Sequence, residues 1–320
     1  MEPAKNPHPT ARIMPDPGPL PVLPAVFDSA GGLVLEAMAR QIDFCELCGV
    51  EWVCVPAFGS EFYKLDPKER SALIAEVLRL AKGRVKVAVQ CNHVHAPTAA
   101  ALARQAEADG ASMISTAIPR GMPASEESLA RYAVTVANGT SLPVILQDWN
   151  PSGPSLTSGA LSKIATQCPN LAFIKLEEPS VAERARVLRE TAGVRILTGW
   201  GGMYLLEQLP AGIAGVMPGL PLLDVFSAIW KSWQAGDKAR VFRLQALVFP
   251  YIQFSLRNLE QFLHCEKILA VRRGLLPSAI VRDPTVALSP SELSSLDFII
   301  TEMMAQLVSE GFQPAPLGIL

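Results

Sequence analysis

Eight short β-rich runs alternate with eight longer amphipathic stretches over residues 21–235, and this alternation restricts the fold more than any other feature of the chain. The strand-like runs are 21–27 (PVLPAVF), 50–57, 84–91, 111–117, 142–148 (LPVILQD), 171–175 (LAFIK), 194–199 and 212–217. Helical patterns follow them at 32–48, 67–82, 97–109, 124–138, 156–167, 180–192, 201–209 and 222–235, several opening on cap chemistry such as Asp66-Pro67 and Ser180. Strands alternating with helices imply a parallel sheet, and eight such units imply an α/β fold of the (β/α)8 TIM-barrel type. The rival is a doubly wound open sheet, which often carries a glycine-rich first turn for a nucleotide. Here that turn reads FDSAGG, without G-x-G-x-x-G, and GWGG at 199–202 follows the seventh run instead. Beyond the barrel the pattern is helical only, at 237–256, 259–274 and 290–309, so residues 236–320 read as a C-terminal helical extension. Residues 1–20 are rich in proline and read as a mobile arm.

One residue interrupts the apolar pattern where a barrel does its chemistry. Lys175 follows Leu171, Ala172, Phe173 and Ile174 and so ends the sixth strand. The C-terminal ends of the strands carry the active sites of such barrels. Burial favours the neutral amine of a lysine, and a neutral amine can attack a carbonyl to form a Schiff base. The plainer alternative is a lysine snorkelling from the strand end to water.

Composition removes several classes of function. A net charge of -2 and no Lys/Arg-rich block give no sign of a nucleic-acid partner. No apolar run approaches the ~20 residues of a membrane span, and no signal-peptide core opens the chain, so a cytoplasmic protein is expected. Cys45 and Cys48 form a C-x-x-C that suggests redox chemistry or half a zinc site. No second C-x-x-C exists, and the surrounding pattern is helical, so buried packing is the expectation.

Several stretches resemble the dihydrodipicolinate synthase/N-acetylneuraminate lyase family. They are the opening turn PAVFDSAGGL, a strand-two glutamate followed by LDPKER, FIK on strand six, and EKILAVRRGLLPSAIVRDPTVALSPSEL near the end. The likeness runs from 22 to 307. It implies a class I enzyme that acts on 2-oxo acids through a lysine imine, here Lys175, with no other cofactor and no metal. It also implies a homo-oligomer, commonly a tetramer, and the apolar helices YLLEQL and FSAIWKSW suggest surface left to cover.

The departures from the family pattern are specific. The G-T-T-G-E loop after strand two reads Ala57-Phe58-Gly59-Ser60-Glu61, so the threonine that would relay protons is absent. Gln147 stands where the family carries its tyrosine, IPRGMP with Arg120 and Gly121 replaces the tyrosine pair after strand four, and NPSGPSL lacks the arginine that grips a second carboxylate. These changes argue against a true dihydrodipicolinate synthase. The branch similar to L-2-keto-3-deoxyarabonate dehydratase fits better, through Gln147-Asp148, Ser152-Gly153, Ser60-Glu61, Lys175-x-Glu177-x-Pro179 and His93. Two of that branch's positions are not kept: the first of its F-S-E is Gly59 and its proline after Q-D-x is Asn150.

The resemblance therefore implies Lys175 as nucleophile, with Gln147, His93, Asp148 and Glu177 as the groups that move or hold protons. Phe58, Gly59, Ser60, Glu61, Arg120, Ser152 and Gly215 are the expected substrate contacts. Loop N–H groups at 58–60 would hold the substrate carboxylate, and Gly215 would leave room beside the imine. Glu61 is equally readable as a structural acceptor of loop N–H groups, and both glycines as ordinary turn geometry. The favoured reaction is dehydration of a 2-keto-3-deoxy sugar acid, ahead of retro-aldol cleavage. Two other classes remain open: a 2-oxo acid sensor that kept the barrel and lost its chemistry, and a metal-dependent hydrolase built on His93-x-His95.

Overall fold

The computed structural model describes residues 14–120, 123–150, 153–178 and 181–320. Eight parallel strands form its centre: β1 Gly18–Pro19, β2 Trp52–Val55, β3 Lys86–Gln90, β4 Met113–Ala117, β5 Val144–Asp148, β6 Leu171–Leu176, β7 Arg195–Thr198 and β8 Gly215–Val216. They pair in the order β1-β8-β7-β6-β5-β4-β3-β2. The seam between β1 and β2 is closed by Leu23 N–H to the Cys54 carbonyl at 3.0 Å and Cys54 N–H to the Pro21 carbonyl at 2.9 Å. Helices α1 Ala37–Cys48, α2 Pro67–Ala81, α3 Ala96–Ala108, α4 Glu126–Ala137, α5 Ser158–Gln167, α6 Val181–Ala192, α7 Leu205–Gln208 and α8 Leu223–Gln234 alternate with the strands. The molecule is a (β/α)8 TIM barrel followed by α9 Lys238–Ser255, α10 Leu259–Arg272 and α11 Pro290–Ser309.

Two expectations about the chain's start shift. The first ladder lies at Gly18–Pro19, ahead of the run 21–27, and therefore inside the segment expected to be an arm. Pro21 and Pro24 have no N–H to donate, and that run contributes isolated bridges instead of a strand, Val22 to Cys54 and Gly219 and Phe27 to Leu33. Residues 1–13 lie outside the described residues, as does Ser180. Asp66 caps α2 as its sequence suggests, accepting from the N–H groups of Lys68 and Glu69 at 2.7 and 2.8 Å, while Glu69 accepts from Asp66 N–H.

Strand alternation sorts the side chains into two layers. Trp52, Cys54, Ala88, Met113, Ile145, Phe173 and Leu197 fill the barrel interior. Val53, Val55, Val87, Val89, Ile114, Val144, Leu146, Ile174 and Leu176 face outward into the helix layer. Cys45 and Cys48 lie buried on α1, where burial pushes both thiols well above their ordinary range, so the C-x-x-C is packing. The apolar face of FSAIWKSW is covered within the chain: Phe226, Ile229 and Trp230 of α8 are buried, and α8 packs on α1, α9 and β1. Exposed large apolar side chains occur instead on α9 and α11, at Phe242, Phe249, Phe298 and Val308.

The extension also holds an isolated acid. Burial lifts the Glu266 carboxyl of α10 to about 8, and its nearest polar partner is the Tyr251 hydroxyl at 3.2 Å. Gly219 admits it, since a Cβ there would lie 1.7 Å from Glu266 Oε2. An unfolded chain releases a glutamate proton near about 4.3. Between that pH and 8 the folded state binds more protons, so stability falls as pH rises, and the loss levels off above 8. Glu266→Gln keeps the shape and the acceptor for Tyr251. Its melting-temperature advantage over the natural protein is expected to widen from pH 5 to pH 8 and then stay constant. A gap that does not change with pH in a thermal-denaturation series would contradict this.

Candidate active site

Lys175 lies at the C-terminal end of β6 with its side chain inside the barrel, one of few charged groups there, and is 6 % exposed. Its amine meets the Glu177 carboxylate, Nζ to Oε1, at 2.8 Å. Gln147, its ladder partner on β5, donates Nε2–H to the same Glu177 oxygen at 2.7 Å. Gln90 at the end of β3 donates to Gln147 Oε1 at 2.9 Å. That bond leaves the amide NH2 of Gln147 facing Glu177, so Gln90 fixes the amide's direction. The other Glu177 oxygen accepts from Trp200 N–H at 2.5 Å.

The chain bends to make this last contact. Trp200 has a φ of 49°, a left-handed backbone that costs a non-glycine residue ~1–3 kcal/mol. Gly199 before it provides the space, because a Cβ there would stand 2.1 Å from Glu177 Oε2. Strain and a glycine are thus both committed to one carboxylate.

Above Lys175 and Glu177 opens a cavity of about 430 Å³. Phe58 and Gly59 of the strand-two loop form one side, Trp200 and Gly201 another, and Met217 and Gly219 a third. The turn between α9 and α10, Arg257 to Leu259, and Phe262 of α10 complete it. The N–H groups of Phe58 and Gly59 open a one-turn helix, Phe58–Ser60, and have no backbone acceptor among the described residues. Gly59 lets this loop sit on the barrel rim, since its Cβ would be 3.1 Å from Val22 Cγ1.

Of the residues expected at the site, the structure brings together Lys175, Gln147, Glu177, Phe58 and Gly59. It places six elsewhere. Asp148 is one residue from Gln147 and so faces the opposite side of β5, where it accepts from Arg120 Nη2 and Leu156 N–H, each at 2.8 Å. Burial raises the Asp148 carboxyl above its ordinary range, with Leu156 N–H and Arg120 opposing. Arg120 is therefore a partner of Asp148 and not a contact in the Lys175 cavity. The Ser60 hydroxyl is consumed locally, accepting from Ala57 N–H at 2.9 Å and donating to the Leu23 carbonyl.

Glu61 is fully buried and turned toward the extension, where its oxygens meet the Lys267 and Lys64 amines and Arg282 N–H. This is the structural role, reached by a left-handed φ of 55° at Glu61. Gly215 makes room for β1 and not for an imine: a Cβ there would lie 2.2 Å from the Gly18 carbonyl oxygen. His93 is exposed, accepts from His95 N–H at 3.0 Å, and lines a different cavity. The two histidine rings stand 6.4 Å apart, and among the described residues no group of three His, Cys, Asp or Glu side chains could hold a metal ion. Ser152, Gly121 and Pro179 lie outside the described residues.

Sequence reasoning missed Gln90, Trp200, Met217, Gly219 and the α9–α10 turn. The strand alternation of β3 held a signal for Gln90, a polar residue on the inner face beside Ala88.

Known proteins align with this geometry. The sequence pattern of the Dihydrodipicolinate synthetase family matches residues 18–303. The L-2-keto-3-deoxyarabonate dehydratase of Azospirillum brasilense is 27% identical over 285 residues, covering 87% of this chain and 92% of that protein. The 5-dehydro-4-deoxyglucarate dehydratase of Pseudomonas putida is 26% identical, covering 88% and 93%. A probable 2-dehydro-3-deoxy-D-pentonate aldolase of Escherichia coli K12 is 27% identical, covering 69% and 76%. Among solved structures, the 4-hydroxy-tetrahydrodipicolinate synthase of Methylacidiphilum fumariolicum SolV superposes with a TM-score of 0.84 at 20% identity, covering 91% of this chain and 97% of that one. The Ruminococcus gnavus sialic acid aldolase gives 0.82 at 18%, covering 92% and 99%. With a barrel of that shape and a family pattern spanning both barrel and extension, the chain belongs to the Dihydrodipicolinate synthetase family.

Proposed function

We propose that the protein is a Schiff-base-forming lyase that dehydrates a 2-keto-3-deoxy sugar acid. The observation that carries the reading is the Lys175–Glu177 contact of 2.8 Å at a cavity of about 430 Å³. The Lys175 amine attacks C2 of the 2-oxo acid, water leaves, and a protonated imine remains. A proton departs from C3, its bonding pair forms the C2=C3 bond, and the C=N π pair moves to the imine nitrogen, giving an enamine. The nitrogen pair then re-forms the C=N bond, the C2=C3 pair becomes a C3=C4 bond, and the C4–O bond breaks, its oxygen leaving as water once protonated. Hydrolysis of the conjugated imine restores the amine.

Glu177 is the group within reach for the C3 proton, and once protonated it is the acid for the departing hydroxyl. Gln147 cannot readily cycle a proton, so it holds the Glu177 carboxylate. The substrate carboxylate fits the N–H groups of Phe58 and Gly59. No cofactor beyond the imine is required.

Dehydration is favoured over cleavage on two grounds. The family tyrosine is Gln147 here, and the two dehydratases above are covered over more of their length than the aldolase. A synthase reaction is disfavoured because NPSGPSL offers no arginine for a second carboxylate. The test is to incubate the protein with 2-keto-3-deoxy-pentonates and -hexonates of each configuration and follow products by NMR. Loss of water with the carbon chain intact is the expected result. Pyruvate plus an aldehyde would establish the aldolase instead, and pyruvate trapping without consumption of any compound would favour the sensor.

The proposal places the enzyme in the cytoplasm, in keeping with six unpaired, buried cysteines. Among the described residues no helix is long and apolar enough to cross a membrane. It also places the enzyme in a homotetramer, for which the exposed Phe242, Phe249 and Phe298 offer apolar surface. Light scattering at micromolar concentration should give a mass several times 34.4 kDa, and a particle of single-chain mass would refute this.

A further inference from the structure

A second cavity, of about 810 Å³, lies beside the first at the ends of β3, β4 and β5. Among the described residues the two cavities share only Phe58 and Trp149. These rings meet edge to face, with centroids 4.7 Å apart and planes at 75°. Among the described residues this aromatic pair is what the chamber of Lys175 and its neighbour have in common. Polar side chains border the outer chamber, among them Asn92, His93 and Arg120. Asn92 is 8 % exposed, accepts from Ala117 N–H through Oδ1 at 2.7 Å, and among the described residues its buried Nδ2 has no partner. Arg120 Nε is likewise buried without a partner among the described residues, and both residues line this chamber.

We propose that the Phe58–Trp149 pair is a partition that sets the length of the 2-oxo acid accepted at Lys175. The inference rests on the lyase reading above and deepens it. A substrate held by its carboxylate at Phe58 and Gly59 and by its C2 at Lys175 extends its hydroxylated tail within the inner chamber. A short tail fits there; a longer one meets the two rings. The outer chamber, bordered by the polar side chains of Asn92, His93 and Arg120, suits the oxygen atoms of a polyhydroxylated tail, but the ring pair withholds it. The protein is thus specific for short 3-deoxy-2-oxo acids, and its selectivity lies in two rings and not in a polar contact.

The test compares 3-deoxy-2-oxo acids of five, six and seven carbons with the full-length protein. Trp149→Ala joins the chambers. It is expected to raise the kcat/KM ratio of the seven-carbon over the five-carbon acid by about tenfold or more, within the range that one or two excluded groups produce in a closed pocket. Trp149→Phe, which keeps a ring, should change the ratio far less. Phe58→Ala retains the loop N–H groups and provides a second opening should Trp149→Ala fail to fold. An unaltered ratio in an opened variant that still traps pyruvate with borohydride overturns the partition. If the natural protein itself traps no 2-oxo acid, the lyase reading fails, and the partition with it.

Discussion

Lys175→Ala is expected to abolish borohydride trapping by pyruvate and to reduce turnover by roughly 10⁴-fold or more, the scale seen when a covalent nucleophile is removed. The expectation follows from the absence of any replacement. Lys175 is the lysine that lines the 430 Å³ cavity, and the cation nearest along the rim, Arg257, cannot form an imine. Lys175→Arg gives a stricter version. It keeps a cation beside Glu177 and removes only the amine chemistry, so it should be equally inactive with a melting temperature near that of the natural protein. Intact-mass analysis after borohydride reduction reads the result directly. A full-yield pyruvate adduct in either variant would show that another group is the nucleophile.

Glu177→Gln should have the next largest effect, a fall in kcat of about 10²–10⁴-fold, the range of a positioned acid–base group. Imine formation should survive, since the Lys175 amine is retained, and borohydride trapping is expected to continue while turnover is lost. That split separates a proton-transfer role from a structural one. Glutamine still accepts from Trp200 N–H, and a merely structural Glu177 would therefore be replaced with little change. Glu177→Asp keeps the carboxylate on a shorter stem and should recover part of the rate. Turnover by Glu177→Gln within threefold of the natural protein would remove Glu177 from the mechanism.

The parts of the molecule that sequence revealed are those with a short-range code. Period-two and period-3.6 patterns are local, so the eight units and the three final helices are legible in position to within a few residues. The first strand is not, because its pairing is dictated by partners some 200 residues away, Gly215 and Val216, while the apolar run beside it contains two prolines. Lys175, Glu177 and Gln147 are legible as neighbours because β5 and β6 pair in register, Gln147 opposite Lys175.

The misplaced residues have equally local causes. Asp148 follows Gln147 in the motif, but one step along a strand reverses the face, so the pair Q-D divides between the cavity and an arginine behind the sheet. His93 is beyond the last residue of β3, where strand geometry no longer predicts direction. Trp200, Met217 and the α9–α10 turn were beyond reach for another reason. Their part in the site depends on how separate loops converge above the barrel, which no single stretch of sequence encodes.

The buried Glu61 has a consequence for how this protein can be recombined. It joins three segments remote in sequence: the loop after β2, Lys267 of α10, and Arg282 in the connection to α11, which also pairs with Glu69 on α2 at 2.7 Å. A charge removed from such a knot leaves its partners buried and uncompensated, a loss of about 3–5 kcal/mol. The barrel and the extension are therefore not interchangeable modules, despite the clean change of pattern near residue 236. A chimera that takes its barrel from one family member and its tail from another keeps these buried ion pairs only if Glu61, Lys267 and the 282 segment come from the same parent. Crossovers that keep the three together should be tolerated, and the natural unit of exchange is the whole chain from β1 to α11.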